Sequence, residues 1–266
     1  PDPAPGLVTI GRAAKKATLG GRTQVIVPVS GDAAALSGQV EAMASCRADI
    51  VEWRADTFLS SLVGSHFVAA SDVEEDLVRM ARYVADSSPL PVLATIRTSV
   101  EGGEAYLDDE EYCALVRRLA SFAGGADVEI SRDGSSALIE EAHEAGAIVV
   151  ASFHDFEGTP GDEQLAEVLA AMNYAGADVL KFACMANSAT DAARVLAAQA
   201  WAREAYDRPV IGISMGEHGA PTRLVGSALG SAATFATLPG WEGSAPGQFT
   251  VEQVRAVLDI VEASED

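Results

Sequence analysis

The run DVLKFACMA at 178–186 would pass for a fully buried strand but for the lysine at its centre, Lys181. An unpaired ammonium in an apolar interior costs several kcal/mol, so such a group is either neutralised by partners or used in chemistry. Other apolar runs carry comparable intrusions: Glu52 and Arg54 in DIVEWR, Arg97 in PVLATIR, Asp127 and Glu129 in DVEI, and His154 just after AIVVASF. Taken singly, each is explained as well by an internal ion pair or a hydrogen-bonded core histidine. As a set they define a reaction class. A desolvated lysine near other cations has a lowered pKa, and its neutral amine attacks a ketone to form an iminium. The iminium acidifies the neighbouring carbon, and a histidine titrating near neutrality removes that proton and later delivers one to a leaving group. An arginine anchors a carboxylate. The set therefore suits a Schiff-base lyase or aldolase acting on a small oxo-acid.

These residues need a frame that brings them together. Short apolar runs at 24–29, 49–54, 91–97, 127–130, 147–153, 178–183, 209–214 and 232–237 read as strands. Between them lie segments of helical period, among them 75–86, 110–122, 162–176 and 190–206, several preceded by Asn, Thr or Asp as caps. Eight strand–helix units in a chain of 266 residues predict a (β/α)8 TIM barrel, with a doubly wound open sheet as the alternative. A single barrel domain over 22–266 is expected, with residues 1–21 forming a tail or a small hairpin.

Strand residues two apart share a face. Glu52 and Arg54 thus lie together, with Trp53 turned toward the helices; Arg97 joins Thr95, Asp127 joins Glu129, and Ser152 joins His154. Each polar residue falls near the C-terminal end of its strand, where barrels build active sites. Glu52, Arg54, Arg97, Asp127, Glu129, His154 and Lys181 are expected to converge on one cavity.

Competing functions find less support. The chain carries 39 Asp and Glu against 18 Lys and Arg, a net charge of −21, which repels nucleic acid and anionic membranes. No apolar run reaches the length of a membrane helix and no signal-peptide pattern opens the chain, so a soluble cytoplasmic protein is expected. Cys46, Cys113 and Cys184 form no CxxC or Cys/His cluster, and the carboxylates lack an HxH or HExxH partner set. Phosphate-loop patterns are absent, which weighs against a phosphosugar aldolase, and VEGGE at 100–104 reads as a flexible turn. His143 in EEAHEAG fits a helix surface, and His66 lies in an uninformative loop. A non-catalytic binding barrel could keep the cup, but it would have no need of both Lys181 and His154.

Several stretches resemble the type I 3-dehydroquinate dehydratases of the shikimate pathway. In order they are IVEWRAD (50–56), TIRTSVEGGE (95–104), FHDF (153–156), the strand bearing Lys181, ISMGEHGAPTR (213–223), GSAATF (230–235) and SAPGQ (244–248). The resemblance implies a (β/α)8 barrel that dehydrates 3-dehydroquinate to 3-dehydroshikimate with no metal and no cofactor, as a cytoplasmic homodimer in aromatic amino-acid biosynthesis. It assigns Lys181 to the Schiff base, His154 to general acid/base catalysis and Glu101 to assisting the histidine. Glu52, Arg54 and Arg97 would hold substrate hydroxyls and orient the site; Arg223, Ser244 and Gln248 would bind the substrate carboxylate, with 243–249 closing as a lid. Two departures fall at the mouth: Pro28 where the family often has serine, and Ile213 where it often has methionine. His218 in GEHG reads as a loop residue near the site.

Overall fold

The computed structural model describes residues 6–63, 70–241 and 248–263. The chain opens with an antiparallel hairpin, β1 (Val8–Arg12) and β2 (Lys15–Leu19). Eight parallel strands then alternate with helices: β3 (Gln24–Val29), β4 (Ile50–Arg54), β5 (Val92–Thr95), β6 (Gly125–Glu129), β7 (Ile148–Asp155), β8 (Val179–Met185), β9 (Val210–Met215) and β10 (Ala233–Thr237). The short β11 (Phe249–Thr250) adds to the outside of β10. Sheet order runs β10-β3-β4-β5-β6-β7-β8-β9, and a parallel bridge between Val210 and Ser231, with Ala232 N–H donating to the Val210 carbonyl at 2.9 Å, joins the last strands into a closed barrel. The strands are those expected from the apolar runs, shifted by a few residues at their ends.

The helices are α1 (Ala33–Ala42), α2 (Ala55–Val63), α3 (Ala70–Ser87), α4 (Asp109–Ala120), α5 (Ser135–Glu144), α6 (Asp162–Tyr174), α7 (Ala189–Tyr206) and α8 (Val251–Val261). Side chains of Asp32, Asp108, Ser188 and Thr250 accept hydrogen bonds from the first turns of α1, α4, α7 and α8. These contacts satisfy donors that a helix start leaves open.

Two apolar layers follow from strand alternation. Val25, Val27, Val51, Trp53, Val149, Leu180 and Phe182 point outward and pack under the helices. Ile26, Ile50, Leu93, Val150, Val179 and Ile211 point inward and are joined by Ile10 and Leu19 of the hairpin, which therefore plugs the N-terminal end of the barrel. Basic residues fasten this plug to helix C-termini: Arg12 donates to the carbonyls of Ala120, Ala123 and Ala145, and Lys15 to those of Ala85 and Asp86. Cations there meet exposed carbonyls and the negative end of the helix dipole.

The seam between the first and last units has a clamp. Glu262, its side chain 1% exposed, accepts hydrogen bonds from Thr23 N–H and Ser227 N–H, both at 3.0 Å, and pairs with Arg22 at 3.4 Å. Burial alone would push its carboxyl up, but these hydrogen bonds from Thr23 and Ser227 outweigh it and hold the pKa below the ordinary range.

Candidate active site

At the C-terminal end of the barrel a cavity is lined by Glu52, Arg54, Arg97, Glu101, His154, Lys181, Arg223 and Gln248, with an apolar wall that includes Phe156, Ile213, Met215 and Phe235. Strand register accounts for the crowding. Ser152 on β7 stands opposite Glu129 on β6 and opposite Lys181 on β8.

Lys181 is 3% exposed. Its Nζ lies 3.3 Å from Asp127 Oδ2 and 3.5 Å from Glu52 Oε1, above the Phe235 ring at 4.8 Å. Carboxylates, not the cations expected from the sequence, are thus the charges bonded to the amine. Thr95 Oγ1 donates to Glu52 Oε1 at 3.0 Å and Ser152 Oγ to Asp127 Oδ1 at 2.6 Å, which fixes both acceptors. Burial would push Asp127 up, but Arg97 and Lys181 together hold it below the ordinary carboxylate range.

Arg97, just beyond β5, is the hub of this layer. It reaches Asp127 at 2.7 Å, Ser152 at 3.0 Å, Glu129 at 3.1 Å and Glu101 at 3.4 Å. Glu129 also accepts from Thr98 N–H and Thr98 Oγ1, both at 2.8 Å. Asp127 and Glu129 are fully buried and do not line the cavity. The convergence expected from strand parity is therefore corrected for these two: they form a charged layer beneath the cavity that orients Arg97 and Lys181.

His154 Nδ1 lies 2.9 Å from Glu101 Oε2. Burial drives the imidazole pKa well below its ordinary value, with Arg97, Lys181 and Arg54 adding to the effect, so His154 is neutral at physiological pH. Burial likewise pushes Glu101 up to about 7 against the pull of Arg97. Glu101 ends a short 3-10 turn, Ser99–Glu101, in the β5–α4 loop. VEGGE, expected to be a flexible turn, is instead packed. Thr98 bridges to Ala105, Gly103 N–H donates to the Thr98 carbonyl at 2.8 Å, and Glu101 is 3% exposed. The glycines are what allow it. Gly102 has φ +79°, and a Cβ there would stand 2.3 Å from the Phe156 ring; a Cβ on Gly103 would stand 2.0 Å from the Arg97 carbonyl oxygen. Phe156 in turn lies nearly parallel to the His154 ring, at 16° and 6.4 Å between centroids.

Arg54 is held as a bidentate pair by the buried Asp56, at 2.8 and 2.7 Å. Arg223, on the 3-10 segment Ala220–Leu224, is 4% exposed, and burial lowers its pKa to about 10. With Gln248 it lines the same cavity as the His154–Glu101 pair. Ser244, like His66, lies outside the described residues. Ile213 lines the cavity, whereas Pro28, on β3 beside Glu52, does not. His218 sits exposed on a turn, and His143 pairs with Asp178 at 2.7 Å on the barrel exterior. Among the described residues no cluster of three or more His, Cys, Asp or Glu is placed to hold a metal ion.

Sequence reasoning from strand parity found Glu52, Arg54, Arg97, His154 and Lys181, and resemblance supplied Glu101, Arg223 and Gln248. Asp56, Ser131 and Phe156 received no role, although Asp56 stands two residues from Arg54 and Phe156 two from His154, on the alternation that marked their neighbours.

A closed parallel barrel whose mouth presents a buried lysine and a neutral histidine is a Schiff-base lyase in layout. The sequence profile of the type I 3-dehydroquinase family matches residues 25–265, and the chain belongs to that family. It is 36% identical over 247 residues to a 3-dehydroquinate dehydratase of Klebsiella pneumoniae (strain 342), covering 91% of this chain and 94% of the relative. Over 255 residues it is also 36% identical to the enzyme of that name from Bacillus velezensis, covering 91% and 93%. The crystal structure of 3-dehydroquinate dehydratase from Geobacillus kaustophilus HTA426 superposes with a TM-score of 0.86 at 30% identity over 99% of both chains. A type I enzyme from Clostridium difficile, with covalently modified comenic acid, gives 0.83 at 28% identity over 98% and 99%.

Proposed function

We infer that this protein is a hydro-lyase that converts 3-dehydroquinate to 3-dehydroshikimate in the shikimate pathway, through an iminium on Lys181. The observation that carries the reading is one juxtaposition: Lys181 and a neutral His154 line the same cavity. Lys181 passes one proton to Glu52 and adds as the neutral amine to the ketone carbon C3; one N–H proton and the proton held by Glu52 go to the ketone oxygen, which leaves as water, and the iminium remains. Glu52 Oε1, 3.5 Å from Nζ, is placed to take the proton that the amine sheds. His154 then removes a proton from C2, and the electron pair of that C–H bond flows toward nitrogen as an enamine. The enamine pair returns to expel the C1 hydroxyl, which leaves as water carrying the proton held by His154. Addition of water at C3 releases the conjugated ketone and restores the amine. Hydrogen bonding of Nδ1 to Glu101 leaves the other ring nitrogen, Nε2, to face the substrate.

The remaining residues sort by charge. Arg223 and Gln248, with Ser244, bind the C1 carboxylate; of the lid expected over 243–249, residues 243–247 lie outside the described residues. Glu52, Arg54 and Arg97 hold hydroxyls and orient the layer below. The family membership supports a place in aromatic amino-acid biosynthesis as a cytoplasmic homodimer, and the net charge of −21 disfavours nucleic-acid partners.

Borohydride trapping tests the mechanism. Incubation with 3-dehydroquinate and borohydride inactivates the protein and adds one reduced ligand to the peptide bearing Lys181. Lys181→Ala abolishes both turnover and trapping; His154→Ala still traps the imine but stalls at proton transfer. Full activity after borohydride treatment, or equal loss of trapping in both variants, contradicts the assignment.

A further inference from the structure

The carboxyl group of Glu101 has two oxygens with different partners. Oε2 faces His154 Nδ1 at 2.9 Å and Arg97 at 3.4 Å, while Oε1 accepts a hydrogen bond from Ser131 Oγ at 2.8 Å. Ser131 is the second residue beyond β6. Its backbone is held on both sides: Ile130 N–H donates to the Ser152 carbonyl at 2.9 Å, and Arg132 N–H to the Glu129 carbonyl at 3.3 Å. The hydroxyl is therefore delivered from a fixed turn on a different strand from the loop that carries Glu101.

We propose that Ser131 is a positioning residue for the dehydration, fixing the Glu101 carboxyl group so that Oε2, and not Oε1, meets His154. The inference rests on the reading of Glu101 as the partner of His154. It follows from the bonding capacity of each atom. A hydroxyl that donates to Oε1 keeps that oxygen an acceptor, so the proton that Glu101 exchanges sits at Oε2, on the histidine side. Without the hydroxyl the carboxyl can turn about its last bond, and the orientation of the imidazole loosens with it. The charged groups facing Glu101 are Arg97 from the end of β5, Asp127 and Glu129 from β6, and His154 from β7, and Arg97 alone among them favours the ionised carboxylate strongly. Ser131 adds a second donor that favours the ionised form, which is the form that orients a base.

Two effects are expected of Ser131→Ala. The acid limb of the kcat profile, which reports the Glu101–His154 unit in the substrate complex, moves to higher pH by roughly half a unit to one unit, because the carboxylate loses a hydrogen bond. At pH 7, kcat falls roughly threefold to tenfold while KM is unchanged. Ser131→Thr keeps the hydroxyl and keeps the wild-type limb. The side chain is solvent-exposed, so neither variant threatens folding. Glu101→Gln separates the two levels of the argument. If it abolishes the limb while Ser131→Ala leaves the limb and kcat unmoved, the positioning role is wrong and the Glu101 reading stands. If Glu101→Gln itself leaves the limb in place, both fall.

Discussion

Replacing Glu101 by glutamine should make the protein more stable above neutral pH as it makes it less active. Burial lifts the Glu101 carboxyl from 4.5 to about 7. A group whose folded pKa is raised contributes stability below its unfolded value and loses that contribution as pH rises through the folded value, here from 4.5 to about 7. The interval of about 2.5 pH units, at about 1.4 kcal/mol per unit, amounts to about 3 kcal/mol of stability lost to ionising this one group. Glutamine keeps the shape and cannot ionise, so Glu101→Gln lacks that fall. Urea unfolding followed by tryptophan fluorescence and circular dichroism, at intervals from pH 4.5 to 8.5, gives the two stability curves by linear extrapolation. The difference between variant and wild type should grow in favour of the variant by about 3 kcal/mol across this range. Curves that run parallel would refute the reasoning, since they would mean that the buried carboxyl titrates alike in the folded and unfolded chains.

Arg223→Ala should raise KM by roughly tenfold to a hundredfold with kcat little changed, as loss of a charge-assisted contact to the substrate carboxylate requires; an unchanged KM removes Arg223 from the binding site. Gln248→Ala should raise KM more modestly, by roughly threefold to tenfold, on the same steady-state assay. At the barrel seam, Glu262→Ala leaves the backbone N–H groups of Thr23 and Ser227 without their buried acceptor and should cost about 2–4 kcal/mol in urea unfolding at pH 7. Because the folded pKa of Glu262 is depressed, the difference should shrink as pH falls below the ordinary carboxylate range; a constant difference down to acid pH would argue against the clamp.

The barrel was legible because its strands are buried on both faces and so read as unbroken apolar runs, in which Lys181 and Glu52 stand out. Parity along those runs placed Trp53 under the helices and His154 in the cavity correctly. Parity says which way a side chain points but not how deep it sits. Asp127 and Glu129 are buried and do not line the cavity; their carboxylates are taken up by Arg97, Lys181, Ser152 and Thr98. Loop residues obey no such rule. Glu101 and Arg223 came from resemblance alone, because a carboxylate in VEGGE gives no local sign that its loop folds back onto β7. That packing is decided by Gly102 against Phe156 and Gly103 against the Arg97 carbonyl, contacts more than fifty residues apart in the first case. Ser131 was invisible for the same reason: a serine after a strand is ordinary turn chemistry until its partner across the mouth is known.

The hairpin that plugs the N-terminal end makes the barrel a vessel with one opening. Forming the iminium sets one water free and expelling the C1 hydroxyl sets free a second, while releasing the product consumes one. A chamber shut at its base thus gains, by the end of the elimination, twice the water that the last step requires. The last step can therefore use water that the earlier steps released, and the organic acid, its product and one surplus water all pass through the C-terminal end of the barrel.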